Sequence, residues 1–201
     1  TSNVGNYPIT VSGASDPNYT ITLVNGTLTV NKAALTVRAT NKSKTYGAPL
    51  PALAYTLTGL VNGDTEASLD IPVSITTTGD QSSPVATYPI VVSGASDANY
   101  RVTFANGTLT VSKAPLTIKA QNATKVYGVA LPALPVTYTG FVLGETESVL
   151  TAAPSLTTTA TPSSNAGNYP ITVNGATAVN YTISFQNGTL TVSKAPLTIT
   201  A

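Results

Sequence analysis

Apolar and polar residues alternate over short runs along this chain. Ile9 and Val11 are interleaved with Thr10 and Ser12, and after a turn-rich stretch Tyr19, Ile21 and Leu23 share one side while Thr20 and Thr22 take the other. A period of two marks half-buried strands. Asn25-Gly26 comes next, the dipeptide preferred in a two-residue type I′ hairpin turn because both central positions take positive φ. Such a turn predicts Leu23 opposite Leu28, Ile21 opposite Val30 and Tyr19 opposite Lys32, with every apolar residue on one face. Asn106-Gly107 and Asn187-Gly188 repeat the signal and set Phe104 against Leu109, Val102 against Val111, Phe185 against Leu190 and Ile183 against Val192.

The parity then changes. Leu28 and Val30 are even-numbered, whereas Leu35, Val37 and Ala39 are odd, so one flat strand cannot bury both sets. The chain must rotate at Lys32-Ala33-Ala34, and the same place holds Lys113-Ala114-Pro115 and Lys194-Ala195-Pro196. Proline removes a ladder donor and favours strand starts, edges and bulges, so these steps read as stiff joints between domains. A Gly- and Pro-punctuated loop follows, NKSKTYGAPLPAL or NATKVYGVALPAL, and then strands over 54–58 or 136–139, and 73–78 or 155–159. Between them, Asp64–Leu69 and Glu145–Leu150 have the acids of a first helical turn, enough for one or two turns. A last strand begins at Tyr88 or Tyr169.

NGTLTVNKAALTVRA at Asn25 returns as NGTLTVSKAPLTIKA at Asn106 and NGTLTVSKAPLTITA at Asn187, each 81 residues after the last. A fixed period without insertion marks a tandem array of one fold. The expected division is 1–31 as the C-terminal part of a preceding repeat, 32–112 and 113–193 as whole units, and 194–201 as the first strand of a following one. The chain therefore reads as a window on a longer array, with any targeting segment expected outside it, or as one whose exposed edges pair with another chain.

Composition narrows the role. Charged residues make up 8% of the 201 and the net charge is +1, so no basic patch is available for nucleic acid or anionic membrane. No apolar run approaches the ~20 residues of a membrane span. Cysteine and histidine are absent, and Thr, Ser, Asn, Gly and Pro dominate the polar positions, a composition that favours a secreted bacterial protein over a cytosolic one.

Without His or Cys the usual general base and thiol nucleophile are missing, and the chain does not read as an enzyme. The paired acids Asp64/Glu66 and Glu145/Glu147 fit solvated helix-start residues better than hydrolase carboxylates facing across a cleft, and they are too few for a calcium site. No metal or cofactor is expected. The most distinctive motif is Lys-Thr-Tyr-Gly at 44–47 and Lys-Val-Tyr-Gly at 125–128. Tyr46, Gly47, Tyr127 and Gly128 are candidate ligand-binding residues, since an aromatic face stacks on a sugar ring; the competing reading is a ring packed at a loop, followed by a glycine that supplies backbone freedom. Asn-Gly-Thr triplets match a glycosylation pattern, but turn formation accounts for them. Nothing specific points to a Lys-to-Asn isopeptide bond.

Taken together, KA(A/P)LT, the K(T/V)YG loop, the Tyr-Pro-Ile strand, the Asn-Tyr turn exit and NGTLTV resemble the MBG domain of the YGX type over the whole chain. The resemblance implies a tandem module of large bacterial surface and secreted proteins, with no catalytic residues and a fold related to mucin-binding repeats. The expected fold is mostly β: small domains of about six short strands and at most one short helix, β-grasp-like, with an Ig-like sandwich as the alternative. The expected role is a rigid extracellular stalk or fibre whose partners are neighbouring repeats, with other copies of the chain reached through strand edges. The alternative is an adhesive module whose loops hold glycan or host protein.

Overall fold

The computed structural model describes residues 2–200. Ahead of the first repeat lie β1 (Gly5–Ile9) and β2 (Gly26–Val30), an antiparallel pair. The first repeat holds β3 (Ala33–Ala39), β4 (Lys42–Thr45), β5 (Tyr55–Thr58), β6 (Ser74–Thr77), β7 (Thr87–Ser93), β8 (Tyr100–Ala105) and β9 (Gly107–Ser112). The second holds β10 (Ala114–Ala120), β11 (Ala123–Val126), β12 (Val136–Thr139), β13 (Leu150–Ala152), β14 (Ser155–Thr158), β15 (Gly167–Asn174), β16 (Thr177–Ala178), β17 (Tyr181–Gln186) and β18 (Gly188–Ser193). One 3-10 turn per repeat, Glu66–Ser68 and Glu147–Val149, stands where the acidic segments predict helical turns.

Each repeat builds a three-stranded and a four-stranded sheet, in the orders β5-β3-β8 with β4-β9-β7-β6, and β12-β10-β17 with β11-β18-β15-β14. In the first, Leu35 and Val37 from β3, Ile90 and Val92 from β7, Tyr100 from β8 and Leu109 from β9 form one buried cluster that joins both sheets. The mostly β expectation therefore holds. The described residues contain no α-helix, and each repeat pairs its first strand antiparallel with one neighbour and parallel with the other.

The odd and even sets are buried as separate strands. Leu109 and Val111 are buried on β9, Leu116 and Ile118 on β10, and Lys113 is the single residue between the two strands. The ammonium of Lys113 donates to the Ala178 carbonyl (3.3 Å) and that of Lys32 to the Asp97 carbonyl (3.3 Å), so each of these lysines is tied to the repeat it opens.

The Asn-Gly hairpin does not form. β8 pairs in parallel with β3, setting Phe104 opposite Val37, and β17 pairs with β10, setting Phe185 opposite Ile118. β9 and β18 belong to the other sheet. Neither Asn106-Gly107 nor Asn187-Gly188 has positive φ, and neither does Asn25-Gly26. The dipeptide instead carries the chain from one sheet to the other. Asn106 Oδ1 accepts from the Val92 amide (3.3 Å) and Asn187 Oδ1 from the Val173 amide (3.2 Å), while a Cβ on Gly188 would stand 2.7 Å from the Ala120 carbonyl oxygen. Asn25 makes the same bond to the Val11 amide (3.1 Å). The strand expected over Tyr19, Ile21 and Leu23 is also absent, and all three are exposed. In the complete repeats that strand pairs with β3 or β10.

Grouped by mutual contact, the chain forms two compact units. The first takes the chain up to Lys42 with Pro51–Thr78 and Tyr88–Leu109; the second takes Ser43–Leu50, Gly79–Thr87 and the chain from Thr110 on. The Tyr46 loop therefore groups with the second unit although it precedes Lys113 in sequence.

Candidate functional site

The Lys-x-Tyr-Gly loop is built around its lysine. Lys125 is buried and its ammonium donates to the main-chain carbonyls of Val129 (2.9 Å) and Pro162 (3.1 Å); Lys44 does the same to Ala48 (3.1 Å) and Gln81 (3.1 Å). A buried charge is tolerated only when its donors are satisfied, and here the carbonyls lock the loop to the polar turn beyond it. In the first copy that turn is organised by Asp80, whose carboxylate accepts from the Ser83 and Ser82 hydroxyls. These bonds hold the Asp80 carboxyl below its usual range. Sequence reading missed both lysines as site residues, although each stands in the repeated motif.

After the lysine, the two copies differ. Within the second unit Tyr46 is 6% exposed. Its amide donates to the Ser112 carbonyl (2.8 Å), and its hydroxyl donates to Glu145 Oε1 (2.7 Å). Tyr181 donates to the other oxygen of the same carboxylate and accepts from the Val142 amide (3.0 Å). The Tyr46 and Tyr181 rings meet edge to face at 5.7 Å, and Phe141 meets Tyr181 likewise at 5.5 Å. Offset and edge-on contacts of this kind add to burial. Gly47 follows at φ +79°, where a Cβ would lie 2.4 Å from Val142 Cγ2. Glycine is therefore required twice, for the left-handed backbone and for the close approach.

The electrostatics agree with the geometry. Burial, helped by the hydrogen bond to Glu145, pushes the Tyr181 phenol up to about 12, and the Glu145 bond raises that of Tyr46. Both tyrosines are neutral donors to a shared carboxylate at neutral pH. Glu145 therefore does more than open a helical turn: Glu147 lies in the 3-10 turn, while Glu145 precedes it and faces the two rings.

Tyr127, the counterpart of Tyr46, is 46% exposed, and a Cβ on Gly128 (φ +85°) would meet nothing within 4 Å. Asp64, the counterpart of Glu145, accepts from the Tyr100 hydroxyl (2.6 Å), which raises the Tyr100 phenol. Of the candidate ligand residues, Tyr46 and Gly47 are thus buried within the second unit, and Tyr127 and Gly128 are exposed.

Comparison with family sequence profiles matches the MBG domain (YGX type) at residues 1–29, 35–110 and 116–191. The chain belongs to that family. Its Tyr-Gly-X steps are Tyr46-Gly47-Ala48 and Tyr127-Gly128-Val129. No curated protein gives a significant match. The YGX-type chain is a tandem repeat module, and no helix among its described residues is long and apolar enough to cross a membrane.

Proposed function

We propose that this chain is a serially joined structural segment of a bacterial surface or secreted fibre, in which the Tyr-Gly loop of one repeat fastens to the next. The observation that carries the reading is the burial of Tyr46, from the first repeat, against Glu145 and Tyr181 of the second. A stalk needs joints that resist bending, and a desolvated aromatic contact with a shared carboxylate is one that thermal motion does not easily open. Small-angle scattering of chains with two, three and four repeats tests it. The maximum dimension should grow by a constant step per repeat, and growth as the cube root of mass would overturn it.

The alternative reading is an adhesive module that holds glycan or host protein at the Tyr-Gly loops. A glycan array should then give a signal that Tyr127→Ala abolishes. A signal indifferent to that change would remove the loop from the account.

A further inference from the structure

Each repeat leaves a long strand at the open edge of its three-stranded sheet, β8 in the first and β17 in the second. β17 has six residues, whereas the other edge strands of its repeat, β11, β12 and β14, have four each. We propose that β17 pairs antiparallel with β17 of a second copy of this chain, about a two-fold axis at Ile183, so that two chains join side to side through one sheet.

The main chain sets the register. The Ala114 amide donates to the Asn180 carbonyl (2.9 Å), and Pro115 stands opposite Thr182. Alternate residues of a parallel ladder turn to one neighbour. Thr182, Ser184 and Gln186 therefore serve β10, and the N–H and C=O groups of Tyr181, Ile183 and Phe185 turn to the open side, where β17 has no strand neighbour among the described residues. With Ile183 facing itself, Tyr181 faces Phe185 of the second copy, and these residues exchange all of those donors and acceptors. A shift by two residues leaves some of them unmet, and a shift by one sets them against groups that already serve β10.

The side chains fit the same axis. A two-fold interface has to match itself, and Tyr181-Thr182-Ile183-Ser184-Phe185 is a chemical palindrome: aromatic, hydroxyl, aliphatic, hydroxyl, aromatic. On one face Ile183 meets Ile183 and Phe185 meets Tyr181, and on the other Thr182 meets Ser184; aromatic and hydroxyl pairs of this kind stabilise adjacent strands. Phe185 is 38% exposed, and with Ile183 it borders a groove of about 300 Å³ beside the open edge. The open edge belongs to the architecture of the repeat, since β8 has it too, with Phe104 44% exposed. In β8, however, Arg101 stands where β17 has Thr182 and breaks the palindrome, and charge on an edge strand is a common guard against pairing. β17 carries no charge, so no like charges meet across its axis.

The register is tested by crosslinking. Thr182 and Ser184 of the two copies form a non-hydrogen-bonded pair, whose Cα atoms lie about 4.5 Å apart, within reach of a disulfide. The chain has no cysteine of its own. Whole chains carrying Thr182→Cys are mixed with whole chains carrying Ser184→Cys and oxidised with glutathione. The mixed disulfide should exceed either like-with-like dimer at least about tenfold, because the pairing raises the effective concentration of those two thiols alone; two Thr182→Cys chains bring theirs two residues out of register. Statistical proportions of the three dimers overturn the pairing. Sedimentation equilibrium tests it without a crosslink: the unaltered chain should pass from monomer to dimer as its concentration approaches millimolar. Phe185→Lys, which sets an ammonium on the pairing edge, should weaken the dimer about tenfold, while Phe104→Lys on β8 should leave it unchanged. Both phenylalanines are exposed, so the repeats keep their cores in either variant. A monomer at every concentration, or equal weakening by the two variants, overturns the proposal.

Discussion

Tyr46 and Tyr127 occupy the same place in the period, follow the same buried lysine and precede a glycine with the same positive φ, yet one is 6% exposed and the other 46%. Their local conformations are alike; what differs is the surface each ring meets. Tyr46 meets Glu145, Tyr181 and Val142, and no such group covers Tyr127. The motif presents a tyrosine, and the groups that reach its ring decide whether it is buried. The largest test of this difference is truncation at both positions. Tyr46→Ala should cost about 3 kcal/mol or more in urea unfolding, as for other buried aromatic side chains. Tyr127→Ala should stay within about 0.5 kcal/mol. Equal costs would mean that the contact with Glu145 contributes nothing beyond the loop itself.

The next effect is alkaline. The folded Tyr181 phenol is pushed up to about 12 from the ordinary 10.0, by burial first and by the Glu145 hydrogen bond second. A raised phenol favours the folded state while it stays protonated. Its contribution is complete below pH 10, where both states hold the proton, and is lost as pH rises from 10 to 12, because the unfolded chain ionises first. That displacement corresponds to about 2–3 kcal/mol at most. Melting temperature should fall across that window in the whole chain, and Tyr181→Phe should flatten the fall. An unchanged slope in that variant would assign the alkaline loss to other groups.

Much of the fold is legible in the residues. Alternation places Leu35, Val37 and Ala39 on one buried face, and the parity change at Lys32-Ala33-Ala34 separates β2 from β3. The Asn-Gly steps misled because a hairpin and a sheet-to-sheet crossing place the side chains of β9 alike and differ at Phe104 and Phe185, which the crossing leaves exposed. Leu109 and Val111 point inward in either case, and the choice is made by the parallel pairing of β3 with β8, far apart in sequence. The joint was half legible. Tyr46 recurs visibly, but Glu145 lies 99 residues away and looked like a helix-start acid. A signal was present nonetheless: Asp64 stands 36 residues before Tyr100, and Glu145 stands 36 before Tyr181. An acid and a tyrosine kept at one spacing in both copies are a pair, which neither residue reveals alone.

The finest division of the two loops is between their glycines. Alanine at Gly47 and at Gly128 meets the same backbone penalty, since φ is +79° at one and +85° at the other, and left-handed geometry costs an L-residue about 1 kcal/mol. Only at Gly47 does the new methyl also collide, 2.4 Å from Val142 Cγ2 and 2.7 Å from Val142 Cβ. Valine branches at Cβ and cannot swing that atom aside, so the loop must lift from the joint. Gly47→Ala should therefore cost about 1 kcal/mol more than Gly128→Ala. Val142→Ala removes both methyls of the clash and leaves Cβ in place, so it should relieve part of the Gly47→Ala excess and leave Gly128→Ala untouched. Coupling of Val142 to Gly47 but not to Gly128, measured as a double-mutant cycle, isolates the closed joint from the loop that carries it. Equal coupling to both glycines would show that the two loops feel the same surroundings, and the contrast between Tyr46 and Tyr127 would lose its cause.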